Sequence, residues 1–229
     1  MRFKMDNAIV LASGGLDSCV TIATAINDGY NVSLLHINYG QRTQSREDKA
    51  FEDIANFYNI KNKLTVNIDY LKQIGGSSLT DFSMEVETNT EPSSNGALPS
   101  TYVPFRNANM ISIAVSWAEV INAKKIYIGA VEEDSSGYPD CREIFYNKFN
   151  DLLKVALADD KDIQIITPVI HLSKKEIIKK GIELKAPLNL TWSCYLSEDT
   201  ACGECESCKL RLNGFHQAGV VDPIPYNSN

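Results

Sequence analysis

Ala8-Ile9-Val10-Leu11-Ala12-Ser13-Gly14-Gly15-Leu16-Asp17-Ser18 is the stretch whose reading decides the fold. Ile9, Val10 and Leu11 make an apolar run of strand character that stops at Ser13-Gly14-Gly15. Leu16, Val20, Ala23 and Ile26 then recur at helical spacing, and Gly29 closes the pattern. Strand, glycine turn and helix in that order place a helix N-terminus at the edge of a sheet. The first-turn N–H groups there have no intrahelical partner, and the helix dipole adds partial positive charge. An anion such as phosphate fits that position. Gly14 and Gly15 permit a tight turn and let phosphate oxygens approach closely. Ser13 and Ser18 offer hydroxyl donors, and Asp17 can hold Mg²⁺. Neither G-x-x-x-x-G-K-[ST] nor G-x-G-x-x-G occurs. The plain alternative is a glycine turn capped by serine, but the complete S-G-G-x-D-S between strand and helix favours phosphate.

Ser13-Gly14-Gly15-Leu16-Asp17-Ser18 resembles the PP-loop of the ATP pyrophosphatases. In that family the loop grips the β,γ-diphosphate of ATP, and AMP and pyrophosphate are released. The likeness implies that Leu11, Ala12, Ser13, Gly14, Gly15, Leu16, Asp17 and Ser18 contact ATP, with Asp17 and Ser18 also acting in catalysis.

The 229 residues make one domain, or one domain with an appendage, and are enough to bury a full core. Hydrophobic residues at 44% and charged residues at 22% are ordinary for a globular protein. A net charge of −7 gives no electrostatic footprint for nucleic acid. Met1-Arg2-Phe3-Lys4-Met5-Asp6-Asn7 is too polar for a signal peptide, and no apolar run reaches membrane-spanning length. The expectation is a cytoplasmic protein with neither membrane nor nucleic-acid partners.

Beyond the first helix, residues 32–38 (Val-Ser-Leu-Leu-His-Ile-Asn) read as a buried parallel strand. Ligands in open α/β sheets bind at the carboxyl ends of strands. Gln41 and Arg42, just past that end, are therefore candidates for nucleotide or substrate contacts; the likeness to an ATP-using family adds His36 and Asn38, with adenine against backbone groups of residues 36–38. A helix with Ala50, Phe51, Ile54 and Ala55 follows, then an alternating strand over residues 64–68. The β-α-β-α-β order predicts a parallel sheet with right-handed crossovers. Residues 75–99, rich in Gly, Ser, Thr and Asn, read as a long surface loop, either a lid or a plain insertion.

Arg106 stands before a helix expected from about Ala108 to Ala123, where a guanidinium can clamp a carboxylate or phosphate. Residues 126–130 read as the fourth strand, with Gly129 assigned to the nucleotide. The loop after it carries Asp134, Asp140, Cys141 and Arg142. Asp134 and Asp140 suit a metal, an ammonium ion or a purine's N–H groups. A helix over about 143–158, a fifth strand over 164–168 and a short basic helix over 174–180, N-capped by Ser173, complete the pattern. His171 reads as structural or solvated.

Cys194, Cys202, Cys205 and Cys208 follow the spacing C-x₇-C-x₂-C-x₂-C. Four thiolates this close form a closed tetrahedral Zn²⁺ site of the structural kind; a redox pair or an iron–sulfur cluster are the alternatives. The segment is too short to bury much core, so a metal would supply its folding energy. Between Thr191 and Phe215, Lys209 and Arg211 stand against Glu198, Asp199, Glu204 and Glu206, too acidic for a nucleic-acid ribbon. Cys19 and Cys141 read as packed thiols.

Several stretches together resemble the 7-cyano-7-deazaguanine synthase family. They are the PP-loop, Asn38-Tyr39-Gly40-Gln41-Arg42, Val103-Pro104 with Arg106-Asn107, the run from Ser136 to Arg142, Thr191-Trp192-Ser193-Cys194-Tyr195 and the remaining cysteines. Phe105 stands where the family more commonly has Gly, so the pocket is expected to differ there in shape. The resemblance implies a Rossmann-like α/β fold of the adenine nucleotide alpha hydrolase type, with a five-stranded parallel sheet and helices on both faces. Residues 1–185 would form the PP-loop domain and 186–229 a Cys₄ zinc segment packed on it. It implies the ATP- and Mg²⁺-dependent conversion of 7-carboxy-7-deazaguanine and ammonia to the nitrile, by a homodimer. Arg106, Asp140 and Arg142 are then candidates for substrate recognition and catalysis. Rival readings are a tRNA-modifying PP-loop enzyme, an enzyme amidating a different carboxylate, and a non-catalytic nucleotide-binding or zinc-ribbon module.

Overall fold

The computed structural model describes residues 5–86, 98–132 and 137–227. The apolar runs of the sequence become five parallel strands: β1 (Asn7–Leu11), β2 (Asn31–Asn38), β3 (Lys63–Asn67), β4 (Ala123–Ile128) and β5 (Gln164–Ile166). Their order is β3-β2-β1-β4-β5, so the chain reverses direction across the sheet at β1. Ile9, Leu11, Leu35 and Ile37 pack on one face, while Ala8, Val10 and Leu34 pack on the other. Burial on both faces is why β1 and β2 read as near-continuous apolar runs.

The helices are α1 (Leu16–Asn27), α2 (Gln44–Phe57), α3 (Tyr70–Ile74), α4 (Arg106–Ile121), α5 (Glu143–Ala156), α6 (Lys174–Glu183) and α7 (Glu206–Ala218). Ser173 caps α6 as expected, in a capping box with Glu176. α4 starts at Arg106, two residues earlier than the sequence pattern suggests, because Phe105 turns the chain with φ of 56°. β4 likewise starts three residues early, at Ala123. Lys124 and Lys125 lie in its first turn of pairing, and their charges masked it as a strand.

Two α-helices escaped the sequence reading. α3 is five residues long. α7 begins at the residue after Cys205, so its start was read as part of the cysteine cluster. Gly214 lets α7 lie against α6, since a Cβ there would stand 2.5 Å from Lys174 Cγ. Leu188 and Phe215 of the C-terminal segment share one apolar cluster with Leu16 and Val20 of α1.

The expected surface loop over 75–99 is in part a buried structure. Ser77, Ser78, Leu79 and Thr80 are buried, and residues 87–97, with Glu87 and Glu91, lie outside the described residues. Asp134 also lies outside them. Among the described residues, no helix is long and apolar enough to cross a membrane.

Candidate active site

The turn between β1 and α1 needs both of its glycines, for different reasons. Gly14 has φ of +84°, and a Cβ on it would stand 2.8 Å from the Glu47 carbonyl oxygen and 2.9 Å from Ala50 Cβ. Backbone conformation and space both exclude a side chain. Gly15 is the extended N-cap of α1, with no side chain capping the helix, so first-turn N–H groups remain for a ligand. Ser13 Oγ accepts from the Gly15 N–H at 3.2 Å and donates to Ser18 Oγ at 3.2 Å, and Ser18 Oγ donates to the Gly15 carbonyl at 3.0 Å. These bonds tie the two serines to the loop backbone.

Above the loop lies a cavity of about 320 Å³, at the carboxyl ends of the strands where β2 and β4 diverge around β1. Leu35, Ile37 and Tyr39 line one side, and Ile128, Gly129 and Ala130 the other. β1 ends at Leu11, paired with Leu35, so the backbone of Ile37 runs on past the end of its neighbour. Trp192, Ser193 and Tyr195 close the cavity from the cysteine-bearing segment.

The charged groups in the wall are paired in an unequal way. Lys174 Nζ stands 2.9 Å from both carboxylate oxygens of Asp17. Sequence reading gave Asp17 to Mg²⁺ and saw Lys174 only as the start of a basic helix; nothing local in the sequence signals this pair. Arg106 Nη1 donates to Tyr39 OH at 3.0 Å, with the guanidinium 5.1 Å from the Tyr39 ring centre. Burial raises the Tyr39 pKa, against the opposing charge of Arg106. Glu47 also lines the cavity, and burial pushes its carboxyl up to about 7.

The other sequence candidates are used elsewhere. His36 and Asn38 point to the opposite face of the sheet from Leu35 and Ile37, as strand alternation requires. His36 Nδ1 lies 2.7 Å from the Ala12 carbonyl, Nε2 lies 3.1 Å from Asp48, and the ring stacks on Phe51. Asn38 donates to Asp48 at 3.1 Å. Gln41 accepts from the Tyr39 N–H and donates to Glu47. Arg42 is not in the cavity wall; it donates to the carbonyls of Ser78 (2.7 Å) and Asp81 (3.1 Å) and so ties down the 77–84 turn. Asp140 is 3% exposed, and its carboxylate accepts the Asn107 N–H at 3.0 Å, capping the start of α4 from a distant loop. Arg142 is exposed, donates to the Pro139 carbonyl, and lines a separate shallow depression with Phe105. Gly129 is a packing glycine as much as a lining one, since a Cβ there would stand 2.9 Å from Asp17 backbone atoms. His171 is solvated, 3.0 Å from Glu143.

Cys194, Cys202, Cys205 and Cys208 converge, with their sulfur atoms within 4.8 Å of one another. The N–H groups of Leu196, Ser197 and Cys202 point at Cys194 Sγ, and those of Glu204 and Cys205 at Cys202 Sγ. Four sulfurs surrounded by N–H donors fit a closed metal site of the Zn²⁺ kind. This segment touches the phosphate loop directly: the Trp192 N–H donates to the Gly14 carbonyl at 2.9 Å, and Thr43 Oγ1 donates to the Cys194 carbonyl at 3.2 Å. Arg211, fully buried, bonds Asp222 through two nitrogens at 2.7 and 2.9 Å and Thr191 at 2.7 Å.

A doubly wound parallel sheet with a Ser-Gly-Gly-x-Asp-Ser loop and an uncapped helix at its switch point is the architecture of the PP-loop ATP-using enzymes. Residues 7–219 match the family model described as Queuosine biosynthesis protein QueC, and the chain belongs to that family. It is 57% identical over 219 residues to the 7-cyano-7-deazaguanine synthase of Chloroherpeton thalassium, covering 96% of either chain. It is 54% identical over 222 residues to that of Chlorobium chlorochromatii, again covering 96% of either chain. A solved structure from Methanocaldococcus jannaschii, described as a predicted subunit of tRNA methyltransferase, superposes with a TM-score of 0.51 at 18% identity. It covers 78% of this chain and 75% of that one, a likeness of fold alone.

Proposed function

We propose that this chain converts 7-carboxy-7-deazaguanine and ammonia to 7-cyano-7-deazaguanine, using ATP to activate first the acid and then the amide. The observation that carries the reading is the juxtaposition, in one cavity, of the phosphate loop and Arg106, in a chain 57% identical to a synthase of that name. A carboxylate is a poor electrophile. Transfer of AMP to it gives a mixed anhydride with a good leaving group, and the second adenylation, at the amide oxygen, allows loss of AMP to form the nitrile. Both steps activate an oxygen on the same carbon, so one site serves for both.

ATP takes the loop. The backbone edge of Ile37 offers an amide donor and acceptor to adenine, and the first turn of α1 with Ser13 and Ser18 holds the phosphates. Arriving phosphate draws Lys174 away from Asp17, and Lys174 then faces the negative charge that develops on departing pyrophosphate. Mg²⁺, entering with ATP, supplies further neutralisation there, and Asp17 is the residue that would hold it. Arg106, steadied by Tyr39, orients the substrate carboxylate. Asp140 acts through Asn107 and the start of α4, as a positioning residue for Arg106. Arg142 lies outside the cavity and has no part in this reading.

Zn²⁺ in the four cysteines would supply folding energy to the wall that carries Trp192 and Tyr195. Free ammonia as nitrogen donor, a homodimer and a cytoplasmic site of action belong to the same proposal. The test is an incubation with ATP, Mg²⁺, ammonium and 7-carboxy-7-deazaguanine, read by mass spectrometry. The nitrile together with AMP supports the reading. AMP without nitrile turns it toward another carboxylate, and no AMP from folded protein overturns it.

A further inference from the structure

Three carboxylates line the cavity: Asp17, Glu47 and Glu206. Asp17 is taken on both oxygens by Lys174. Glu206 opens α7 beside Cys205. Glu47 differs from both. Its Oε1 lies 3.0 Å from Thr43 Oγ1, whose one proton is shared with the Cys194 carbonyl, and its Oε2 accepts from Gln41 Nε2 at 3.1 Å; both partners are neutral. Among the described residues, no lysine, arginine or histidine stands within 4.0 Å of it. The two contacts hold the carboxylate in the cavity wall, and each oxygen keeps acceptor capacity beyond them. A carboxylate removed from bulk water without a cationic partner is costly. A site built this way is completed by a ligand that brings the positive charge itself.

We propose that Glu47 binds the ammonium ion that supplies nitrogen and takes its first proton. The assignment rests on the amidation reading above. Ammonium is small, cationic and rich in donors, and it cannot attack carbon until it loses a proton. It passes one proton to a Glu47 oxygen and becomes ammonia. The freed lone pair forms the C–N bond at the acyl carbon of the adenylate, and the C–O bond to AMP breaks with its electrons going to the phosphate oxygen. The second nitrogen proton leaves to water, and Glu47 returns its own to water, giving amide, AMP and two protons in balance.

The surroundings suit a base. Burial raises the carboxyl, the bonds from Thr43 and Gln41 oppose this, Arg106 across the cavity opposes it as well, and Asp48 adds to it. Tyr39 is the other titratable group facing it. A lysine or arginine paired directly to Glu47 would both occupy the ammonium position and weaken the base.

The experiment separates this assignment from the reading beneath it. ATP–pyrophosphate exchange dependent on 7-carboxy-7-deazaguanine needs no ammonia. If the wild type shows no exchange, the amidation reading fails and the assignment falls with it. Given exchange in the wild type, Glu47→Gln is expected to lower kcat/KM for ammonium about 10²-fold, the scale of a lost general base. Its KM for the deazaguanine acid in exchange should stay within about twofold of the wild type. Hydroxylamine is largely unprotonated at neutral pH and needs no base, so Glu47→Gln should use it nearly as well as the wild type. Glu47→Asp, which keeps the carboxylate, should restore part of the ammonium rate. Equal loss with ammonium and hydroxylamine overturns the assignment. So does a raised KM for the acid, which would make Glu47 a reader of the substrate's ring N–H edge.

Discussion

The backbone N–H of Trp192 donates to the carbonyl of Gly14 across 2.9 Å, joining the cysteine-bearing segment to the phosphate loop. Gly14 is the left-handed residue of the loop, so its carbonyl direction sets the direction of the N–H groups that follow. The bond makes the four-cysteine cluster a support of the phosphate loop. Chelating the metal, or replacing Cys205 with Ser, is expected to lower the melting temperature and to raise the Kd for ATP about tenfold or more, since metal binding supplies folding energy to that segment. Calorimetric titration with ATP before and after chelation checks this; unchanged ATP affinity in the metal-free protein would separate the two sites.

Gly14→Ala and Gly15→Ala should part company. A Cβ at residue 14 meets α2 backbone at 2.8 Å and sits at positive φ, so about 2–4 kcal/mol of stability should be lost. A Cβ at residue 15 meets Ser13 Oγ at 3.3 Å and the Trp192 carbonyl oxygen at 3.6 Å, at a φ of −78°. That variant should fold nearly as the wild type and lose ATP turnover instead. Urea unfolding beside pyrophosphate exchange distinguishes the two effects.

Lys174 is predicted to act on the transition state of adenylation. Lys174→Met keeps an apolar stem against Gly214 and removes the charge, so the fold should hold while exchange falls about 10²–10³-fold. An exchange rate near that of the wild type would reduce Lys174 to a partner for Asp17.

Glu47 also gives stability a pH dependence of known sign. Its folded pKa of about 7 lies above the ordinary value of 4.5, so the folded state holds the proton more firmly than the unfolded chain does. The stability this contributes is fully present below 4.5 and is lost as the pH rises through about 7. Melting temperatures across that window should fall more steeply for the wild type than for Glu47→Gln. Parallel curves would mean that the carboxyl titrates normally.

Phe105 carries φ of 56° and is 63% exposed. A bulky residue there costs about 1 kcal/mol relative to glycine. Phe105→Gly is expected to raise the melting temperature slightly and to leave turnover unchanged, because the ring lies by the shallow depression outside the cavity. Loss of turnover would place Phe105 nearer the substrate than its position indicates.

The fold was legible where one contiguous run carries its own signal. β1, the glycine turn and α1 are one such run, and the cysteine spacing is another. The site was legible only in part, because a loop residue's place in sequence does not say which way its side chain is drawn. Asp140 and Arg42 stand where ligands bind in such sheets, yet each is spent on a distant backbone, Asn107 and residues 78–81. His36 and Asn38 were readable as facing away, since they alternate with Leu35 and Ile37, the face that lines the cavity. Glu47 and Lys174 have no local signature. Each is an ordinary charge on an amphipathic helix until the sheet brings them beside the loop.

The wall that Trp192 and Arg211 give to the cavity has a consequence for synthesis on the ribosome. β1 pairs with β4, so the sheet itself closes only after the middle of the chain has emerged. The nucleotide pocket closes later still, after the cysteines and α7 have docked on α6. A nascent chain can therefore own a finished sheet and an exposed glycine turn while its pocket is unroofed. A pocket walled on every side thus needs residues 192–211 in place as well as the sheet.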